Sequence, residues 1–225
     1  MELIYPSIEV LTDVNADQMF KRIERAGRTC YKSECKITEN SSKEFVKNIL
    51  GRNHESVIEH ESISVKFVCD RGVSHELVRH RLMSFSQEST RYVNYNKRGM
   101  TFVIPPWVNI KPCQLTIDPS TLGLDTLVSD EITKSWLNTM MECERQYNKS
   151  CSFGAKPEQA RSLLPNSLKT EIVVTGNLRN WRHVLNLRTA KAAHPQMREV
   201  MIKVYDEFIK LGLEPIFKDI QPYRE

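Results

Sequence analysis

Three arginines, a histidine and several hydroxyl side chains fall within the fourteen residues from Arg79 to Tyr92, which read RHRLMSFSQESTRY. Guanidinium groups match phosphate oxygens with paired hydrogen bonds, and serine hydroxyls and backbone amides supply further donors. Gln87 can both donate to and accept from the edge of a pyrimidine or a flavin. The segment therefore indicates a site for a dianionic phosphate, although a solvated basic helix end followed by a polar loop has the same composition.

The elements that precede this segment would place it at a helix end. Apolar residues alternate along 62–69, which predicts a strand with one buried face. Gly72 breaks this strand, and Ser74 is a suitable N-cap for a short helix through Leu77 and Val78. The Arg79-His80-Arg81 triplet then follows directly, so its side chains are expected to project from the end of that helix.

The rest of the chain mixes strands and helices without a regular strand-helix-strand alternation. This favours an α+β fold in which helices flank a mostly antiparallel central sheet, as a single domain over residues 1–225. Neither GxGxxG nor a Walker A loop occurs, so a bound nucleotide would be held in another way. The predicted elements are a strand over 2–11, a helix from Asn15 to Gly27, a helix from Ser41 or Ser42 to Gly51, extended chain over 92–103 around a turn at 97–99, a polar connection to about Asp125, helices over 125–149 and 157–164, a strand over Lys169–Thr175, a helix from Asn177 and a helix over 195–211.

Composition excludes several classes of protein. Hydrophobic residues make up 40% and charged residues 27% of the 225 residues, which is typical of a globular domain. The net charge of +4 (32 − 28) is too small to indicate nucleic-acid binding by itself. The N-terminus lacks a secretory signal pattern, and no apolar run approaches the roughly 20 residues that span a bilayer. We therefore expect a soluble, cytoplasmic protein without membrane association.

The cysteines and histidines give little indication of a metal site or a disulfide framework. The six cysteines include no C-x-x-C pair, and we expect them to be reduced and mostly structural. His54 and His60 are separated by five residues with no cysteine nearby, a spacing that zinc sites do not favour. We therefore expect no metal.

Four other motifs accompany the triplet. In the triplet segment itself, seven residues separate Arg81 from Ser89, and Arg91 follows two positions later. Taken together, these motifs resemble the signature of the flavin-dependent thymidylate synthases, and the resemblance covers essentially the whole chain. The further motifs are HESVIEH at 54–60, ARSLLP at 160–165, Asn177-x-Arg179-x₃-His183-x₃-Leu187-Arg188, and His194-x-Gln196.

The resemblance implies the fold of that family and an enzyme that reductively methylates deoxyuridine monophosphate (dUMP) to thymidylate (dTMP). It implies flavin adenine dinucleotide (FAD) as the bound cofactor, methylenetetrahydrofolate as the carbon donor and NADPH as the source of electrons. It also implies a homotetramer in which each of four active sites is built from several subunits. The flavin would perform the redox chemistry, so no protein nucleophile is required.

Residue roles carried over by this resemblance fall into three groups. Arg188 is expected to be catalytic, because a guanidinium beside the pyrimidine stabilises negative charge that develops on the ring. The residues implied as FAD ligands are His54, Ser56, Arg79, His80, Arg81, Gln87, Asn177, Arg179, His183 and His194. Those implied as dUMP ligands are Glu76, Leu77, Val78, Arg79, Gln87, Glu88, Ser89, Thr90, Arg91, Arg161 and Arg188.

Two other functions compete with this interpretation. A nucleic-acid-binding module would use the triplet and the basic stretch Arg179–His183 to contact phosphates, and would be colourless when purified. A family member without activity would serve only as a structural tetramer. The resemblance favours the enzyme, with small molecules rather than nucleic acid as its partners.

Overall fold

The computed structural model describes residues 1–115 and 128–224, in which strands and helices are mixed along the chain. The strands are β1 (Glu2–Ile4), β2 (Ser7–Val10), β3 (Ser62–Asp70), β4 (Ser84–Gln87), β5 (Thr101–Val103), β6 (Cys113–Gln114) and β7 (Lys169–Asn177). The helices are α1 (Ala16–Thr29), α2 (Ser41–Gly51), α3 (Arg71–Leu77), α4 (Tyr95–Arg98), α5 (Glu131–Ser152), α6 (Pro157–Ala160), α7 (Leu178–Arg188), α8 (Pro195–Phe208) and α9 (Glu214–Phe217). Shorter 3₁₀ turns lie at Glu34–Lys36, Glu55–His60 and Arg161–Leu163, and a π-helical turn at Ile209–Leu213.

The strands form two sheets. In the three-stranded sheet, β1 lies between β5, to which it is parallel, and β6, to which it is antiparallel. The four-stranded sheet has the order β2-β3-β7-β4. Its central strands run in opposite directions, because Arg71 N donates to Leu168 O at one end and Leu178 N donates to Glu61 O at the other. The predicted α+β class with mostly antiparallel strands is confirmed.

The chain divides into two compact units, called here the first and second unit. The first comprises Met1–Ser7, Phe67–Leu77 and Ser86–Ile172, and the second comprises Ile8–Lys66, Val78–Phe85 and Val173–Glu225. A cluster around Phe102, Leu137 and Tyr147 forms a core in the first unit. In the second unit, Trp181, Phe208 and Phe217 are fully buried, and successive ring centroids lie 5.5 and 5.1 Å apart.

Two predictions near the N-terminus are wrong in detail. The single strand over 2–11 is two strands in different sheets, separated at Tyr5-Pro6, because proline has no N–H to donate to a ladder. Gly27 does not end α1, which continues to Thr29. A Cβ at Gly27 would lie 2.6 Å from Cζ of Phe45, so this glycine allows close packing of α1 on α2.

The helix before the triplet begins earlier than predicted. It starts at Arg71, directly after β3, and Asp70 Oδ1 accepts a hydrogen bond of 2.9 Å from Val73 N. Ser74 lies inside the helix and its hydroxyl donates to Arg71 O, so the prediction of Ser74 as N-cap is wrong. Gly72 is needed here because a Cβ would lie 2.9 Å from Asp70 Oδ1.

Other predicted elements are confirmed with shifted ends. Asn15 and Asn177 each cap a helix, accepting from the backbone N of Gln18 (3.1 Å) and Asn180 (2.8 Å). The predicted extended chain over 92–103 is wrong in part, because α4 interrupts it. The predicted connection to Asp125 and the first turn of the predicted 125–149 helix lie largely outside the described residues. Within residues 1–115 and 128–224, no helix is both long and apolar enough to cross a membrane.

Candidate active site

The Arg79-His80-Arg81 triplet lies in a tight turn of the second unit. The turn is closed by a 3.0 Å hydrogen bond from Met83 N to His80 O. Met83 packs against Gly176 on β7, where a Cβ would lie 2.3 Å from the Met83 Cε atom. The absence of a side chain at Gly176 therefore lets Met83 anchor the turn. Arg79 and Arg81 are exposed and His80 is half-buried.

Helix α7 presents a continuous polar face. Leu178, Trp181, Val184 and Leu185 are buried on the apolar side of the helix. The opposite side carries polar residues at the helical spacing i, i+3, i+4 and i+7. Only Arg179 and His183 of this set were predicted as ligands, although the helical spacing in the sequence indicates a shared face for all four residues. They are Arg179, Arg182, His183 and Asn186.

A direct hydrogen bond links the triplet to the end of α7. Arg188 Nε donates to His80 Nε2 over 3.0 Å, and the His183 ring centroid lies 6.3 Å from that of His80. Burial, and after it the positive charge of Arg188, lowers the pKa of His80 to about 4. His80 is therefore a neutral imidazole at neutral pH, which allows Nε2 to accept from the guanidinium.

A cavity of about 770 Å³ opens beside α7 in the second unit, a size within the range of small-molecule sites. Arg179 Nη1 lies 2.5 Å from Glu59 Oε1. Arg182 donates to Glu55 over 3.0 Å and to both carboxylate oxygens of Asp219 over 2.7 Å. The Arg182 guanidinium lowers the pKa of Asp219. The cavity is lined by Glu55, Glu59, Leu82, Asn177, Arg179, Asn180, Arg182, His183, Asn186, Asp219 and Ile220.

Three predicted ligands, Asn177, Arg179 and His183, thus line one cavity together. Sequence reasoning missed the carboxylates that hold the cavity arginines. Two of them, Glu55 and Glu59, lie within the HESVIEH motif itself, so the motif contained the signal. Asp219 near the C-terminus carries no comparable pattern in the sequence.

In the first unit, the motif residues Gln87 and Glu88 are held by protein groups. Gln87 Nε2 donates to Ser74 Oγ (2.9 Å) and Thr170 Oγ1 (3.2 Å). Glu88 accepts from the Tyr95 hydroxyl (3.0 Å) and from Lys169 Nζ (3.3 Å). Burial, together with Glu88, raises the pKa of Tyr95, so the phenol keeps the proton that it donates.

The remaining predicted residues differ in exposure. Leu77 is 1% exposed and Thr90 8%, so both residues are buried. Ser89 Oγ accepts a 3.3 Å hydrogen bond from Arg91 N. In the described ranges 1–115 and 128–224, no group of His, Cys, Asp and Glu side chains is arranged to hold a metal ion. Among the predicted ligands, Glu76 is partly buried, and those exposed at the surface are His54, Ser56, Val78, Arg91, Arg161 and His194.

Comparison with known proteins agrees with this fold and these motifs. Residues 11–211 match the family described as thymidylate synthase complementing protein. The flavin-dependent thymidylate synthase of Mycolicibacterium gilvum is 32% identical over 223 residues, which cover 96% of this chain and 84% of that protein. The enzyme of the same description from Pyrococcus furiosus is 34% identical over 188 residues, covering 81% and 69%.

Solved structures share the fold. The UMP/dUMP methylase PolB from Streptomyces cacaoi, bound with 5-Br dUMP, superposes with a TM-score of 0.76 at 22% identity, covering 98% of both chains. Thymidylate synthase X from Helicobacter pylori, with FAD and dUMP, gives 0.74 at 20% identity and covers 96% of this chain and 99% of that one. On the sequence matches, the chain belongs to the flavin-dependent thymidylate synthase family.

Proposed function

We propose that the protein is an enzyme that methylates dUMP to dTMP, with methylenetetrahydrofolate as carbon donor and NADPH as reductant through bound FAD. The observation that carries this proposal is the hydrogen bond from Arg188 Nε to His80 Nε2. It joins the histidine of the Arg-His-Arg motif, implied in flavin binding, to the arginine implied in activating the pyrimidine. The relatives described as flavin-dependent thymidylate synthases support the same activity.

The second unit has the side chains to hold a flavin nucleotide. Exposed Arg79 and Arg81 offer guanidinium donors to a pyrophosphate, and Asn177 and His183 line the adjoining cavity. The carboxylates beside Arg179 offset part of the positive charge, so phosphate binding would compete with these ion pairs. We propose His54, Ser56, His80, Gln87, Arg179 and His194 as the other FAD ligands. Bound FAD would relay hydride from NADPH.

Arg188 is proposed to stabilise the pyrimidine as it gains negative charge. Because His80 is neutral, it orients the Arg188 guanidinium without cancelling its charge. A preorganised guanidinium donor is worth most in a site from which water is excluded. Glu88, also proposed as a dUMP ligand, would offer a fixed acceptor, since Tyr95 and Lys169 hold its carboxylate in place. The other proposed dUMP ligands are Glu76, Leu77, Val78, Arg79, Gln87, Ser89, Thr90, Arg91 and Arg161.

The surroundings of Cys69, Cys143 and Ser89 support hydride transfer without a covalent enzyme adduct. Cys69 is fully buried, and burial raises the pKa of its thiol. Burial also raises the pKa of Cys143. A thiol rather than a thiolate is a poor nucleophile. Ser89 Oγ accepts a hydrogen bond from Arg91 N, which fits a positioning hydroxyl better than an activated one.

We propose further that the protein is a cytoplasmic homotetramer with active sites shared between subunits, acting on small molecules rather than nucleic acid. The family resemblance supports this assembly. A sedimentation measurement tests it, and a monomer with full flavin occupancy would contradict it.

Absorbance spectroscopy followed by a product assay tests the proposed function. The purified protein should show oxidised-flavin bands and should form dTMP only when dUMP, methylenetetrahydrofolate and NADPH are all present. A colourless protein that cannot be reconstituted with FAD and binds polynucleotide in a salt-sensitive manner would favour the nucleic-acid module. A yellow tetramer that forms no dTMP would be the inactive family member.

A further inference from the structure

The C-terminal tail of the second unit lies against the segment that connects two proposed site residues. This segment, Thr189–Ala193, follows Arg188 at the end of α7 and precedes His194 at the start of α8. Tyr223 N donates to Thr189 O over 2.9 Å. Tyr223 thus contacts the first residue after Arg188, although thirty-five positions separate Tyr223 from Arg188 in sequence.

A buried arginine in α8, the helix that follows this segment, also holds the segment in place. Arg198 is only 6% exposed, and its Nη1 donates to Lys191 O (3.1 Å) and Ala193 O (3.0 Å). Burying a guanidinium is costly unless its donors are satisfied, so these two carbonyls are held in a defined place. The segment therefore has little freedom while Arg198 keeps its position.

The Tyr223 ring lies close to two cationic side chains. The guanidinium carbon of Arg198 lies 5.2 Å from the ring centroid, and Nζ of Lys191 lies 5.3 Å from it. Cations within about 6 Å of an aromatic face are attracted by its quadrupole. One aromatic ring thus contacts both the arginine that holds the segment and a lysine that belongs to the segment.

The same tail contributes to the wall of the cavity. Asp219 forms a two-pronged ion pair with Arg182, and Ile220 is 5% exposed and lines the cavity. Beyond Tyr223, Arg224 forms an exposed pair with Asp206, a kind of contact that contributes little to stability. Asp219, Ile220 and Tyr223 therefore connect the tail to the cavity and to the segment that follows Arg188.

From these contacts we propose that Tyr223 is a positioning residue: its ring and backbone amide hold the Thr189–Ala193 segment and thereby fix the Arg188 guanidinium at the reacting pyrimidine. This rests on the proposed function, because it assigns Arg188 the catalytic role. The proposal extends the site to the C-terminal tail, which lies outside all of the motifs described above.

Tyr223→Ala is the test variant, with Tyr223→Phe as the conservative variant and Arg224→Ala as a neighbouring control. Loss of the ring should lower kcat by about 10- to 100-fold, the scale that misplacement of a catalytic group by an ångström produces, with flavin occupancy retained. The change in KM for dUMP should be smaller, because Arg188 acts mainly in the transition state. Tyr223→Phe should restore kcat, and Arg224→Ala should leave it unchanged.

A double-mutant cycle separates positioning from general destabilisation. In an Arg188→Ala background, Tyr223→Ala should change kcat by less than about twofold, because its effect passes through Arg188. A full additional loss in that background would overturn the proposal. So would wild-type kcat in folded Tyr223→Ala, or equal losses in the Phe and Ala variants.

Hydrogen exchange gives a readout that does not depend on activity. Tyr223→Ala should speed amide exchange across 189–194, whereas Tyr223→Phe should not. If the wild-type protein makes no dTMP but Tyr223→Ala still speeds exchange, the proposed function is refuted and the role of the tail in holding the segment stands. Unchanged exchange in the Ala variant would refute the role of the tail and leave the function standing.

Discussion

The two units hold their motif residues in different ways. In the first unit, Gln87 and Glu88 are each fixed by two side-chain partners, and the partners of Glu88 are the buried Tyr95 and the ammonium group of Lys169. In the second unit, Arg79 and Arg81 are exposed at a turn that is held through its neighbouring residues, by Met83 against Gly176 and by Leu82 O, which accepts from Asn180 Nδ2. Groups held by protein partners are preorganised for a ligand, whereas exposed arginines lose side-chain entropy when a ligand orders them. The comparison therefore predicts different consequences of mutation in the two units.

Arg188→Ala is expected to have the largest effect, since it removes the charge proposed to act on the pyrimidine. Turnover should fall by about 10²-fold or more, by analogy with the loss of one oxyanion donor. Arg188→Lys is the matched variant. It keeps the charge but lacks the Nε–H that His80 accepts, so it should recover only part of the rate. Equal rates for the Arg188→Lys variant and the wild-type enzyme would show that the hydrogen bond to His80 is unimportant.

Arg81→Ala or His80→Ala should weaken FAD binding while the fold persists. Removing a hydrogen bond to a charged group costs about 1.5–3 kcal/mol, which corresponds to roughly 10- to 150-fold in affinity. Flavin titration of the folded variants measures this loss, with Arg25→Ala in the exposed face of α1 as a control outside the motif. Unchanged affinity in both motif variants would mean that the FAD assignment is wrong.

Tyr95→Phe should reveal the contrasting character of the first unit. The variant removes the hydroxyl that donates to Glu88, which should lower the free energy of unfolding by about 2 kcal/mol and weaken dUMP binding. Arg79→Ala in the exposed turn should change the unfolding free energy by less than about 0.5 kcal/mol. Urea denaturation of both variants makes the comparison, and similar losses would remove the distinction between the units.

A smaller effect is expected from the titration of His80. Its pKa is lowered to about 4 in the folded protein, from 6.5, so protonation favours unfolding. The stability linked to neutral His80 is fully present above pH 6.5 and is lost as the pH falls toward 4. The advantage of the wild type over His80→Gln in unfolding free energy should therefore shrink between pH 7 and pH 5. A constant difference over this interval would show that His80 titrates normally.

The sequence predicted the local elements better than the contacts that complete the site. Asn177 was recognisable as the start of a helix because capping depends on neighbouring residues, and its 2.8 Å bond to Asn180 N confirms it. The hydrogen bond between His80 and Arg188 joins residues 108 positions apart, and no local pattern encodes such a pair. No local pattern encodes the ion pair between Arg182 and Asp219 either. The class of fold and the motifs were therefore predictable, whereas the pairing of charges required the tertiary structure.

Single-turnover product formation with pre-reduced flavin tests the central claim most directly, because it isolates the chemistry on dUMP from reduction by NADPH. Variants that replace the six cysteines, if folded and flavin-loaded, should form measurable dTMP at saturating dUMP. Ser89→Ala should also form product, with weaker substrate binding, whereas Arg188→Ala should be slowed by about 10²-fold or more. A Ser89 or cysteine variant with no chemistry, beside an Arg188→Ala variant that stays active, would contradict hydride transfer without a protein nucleophile.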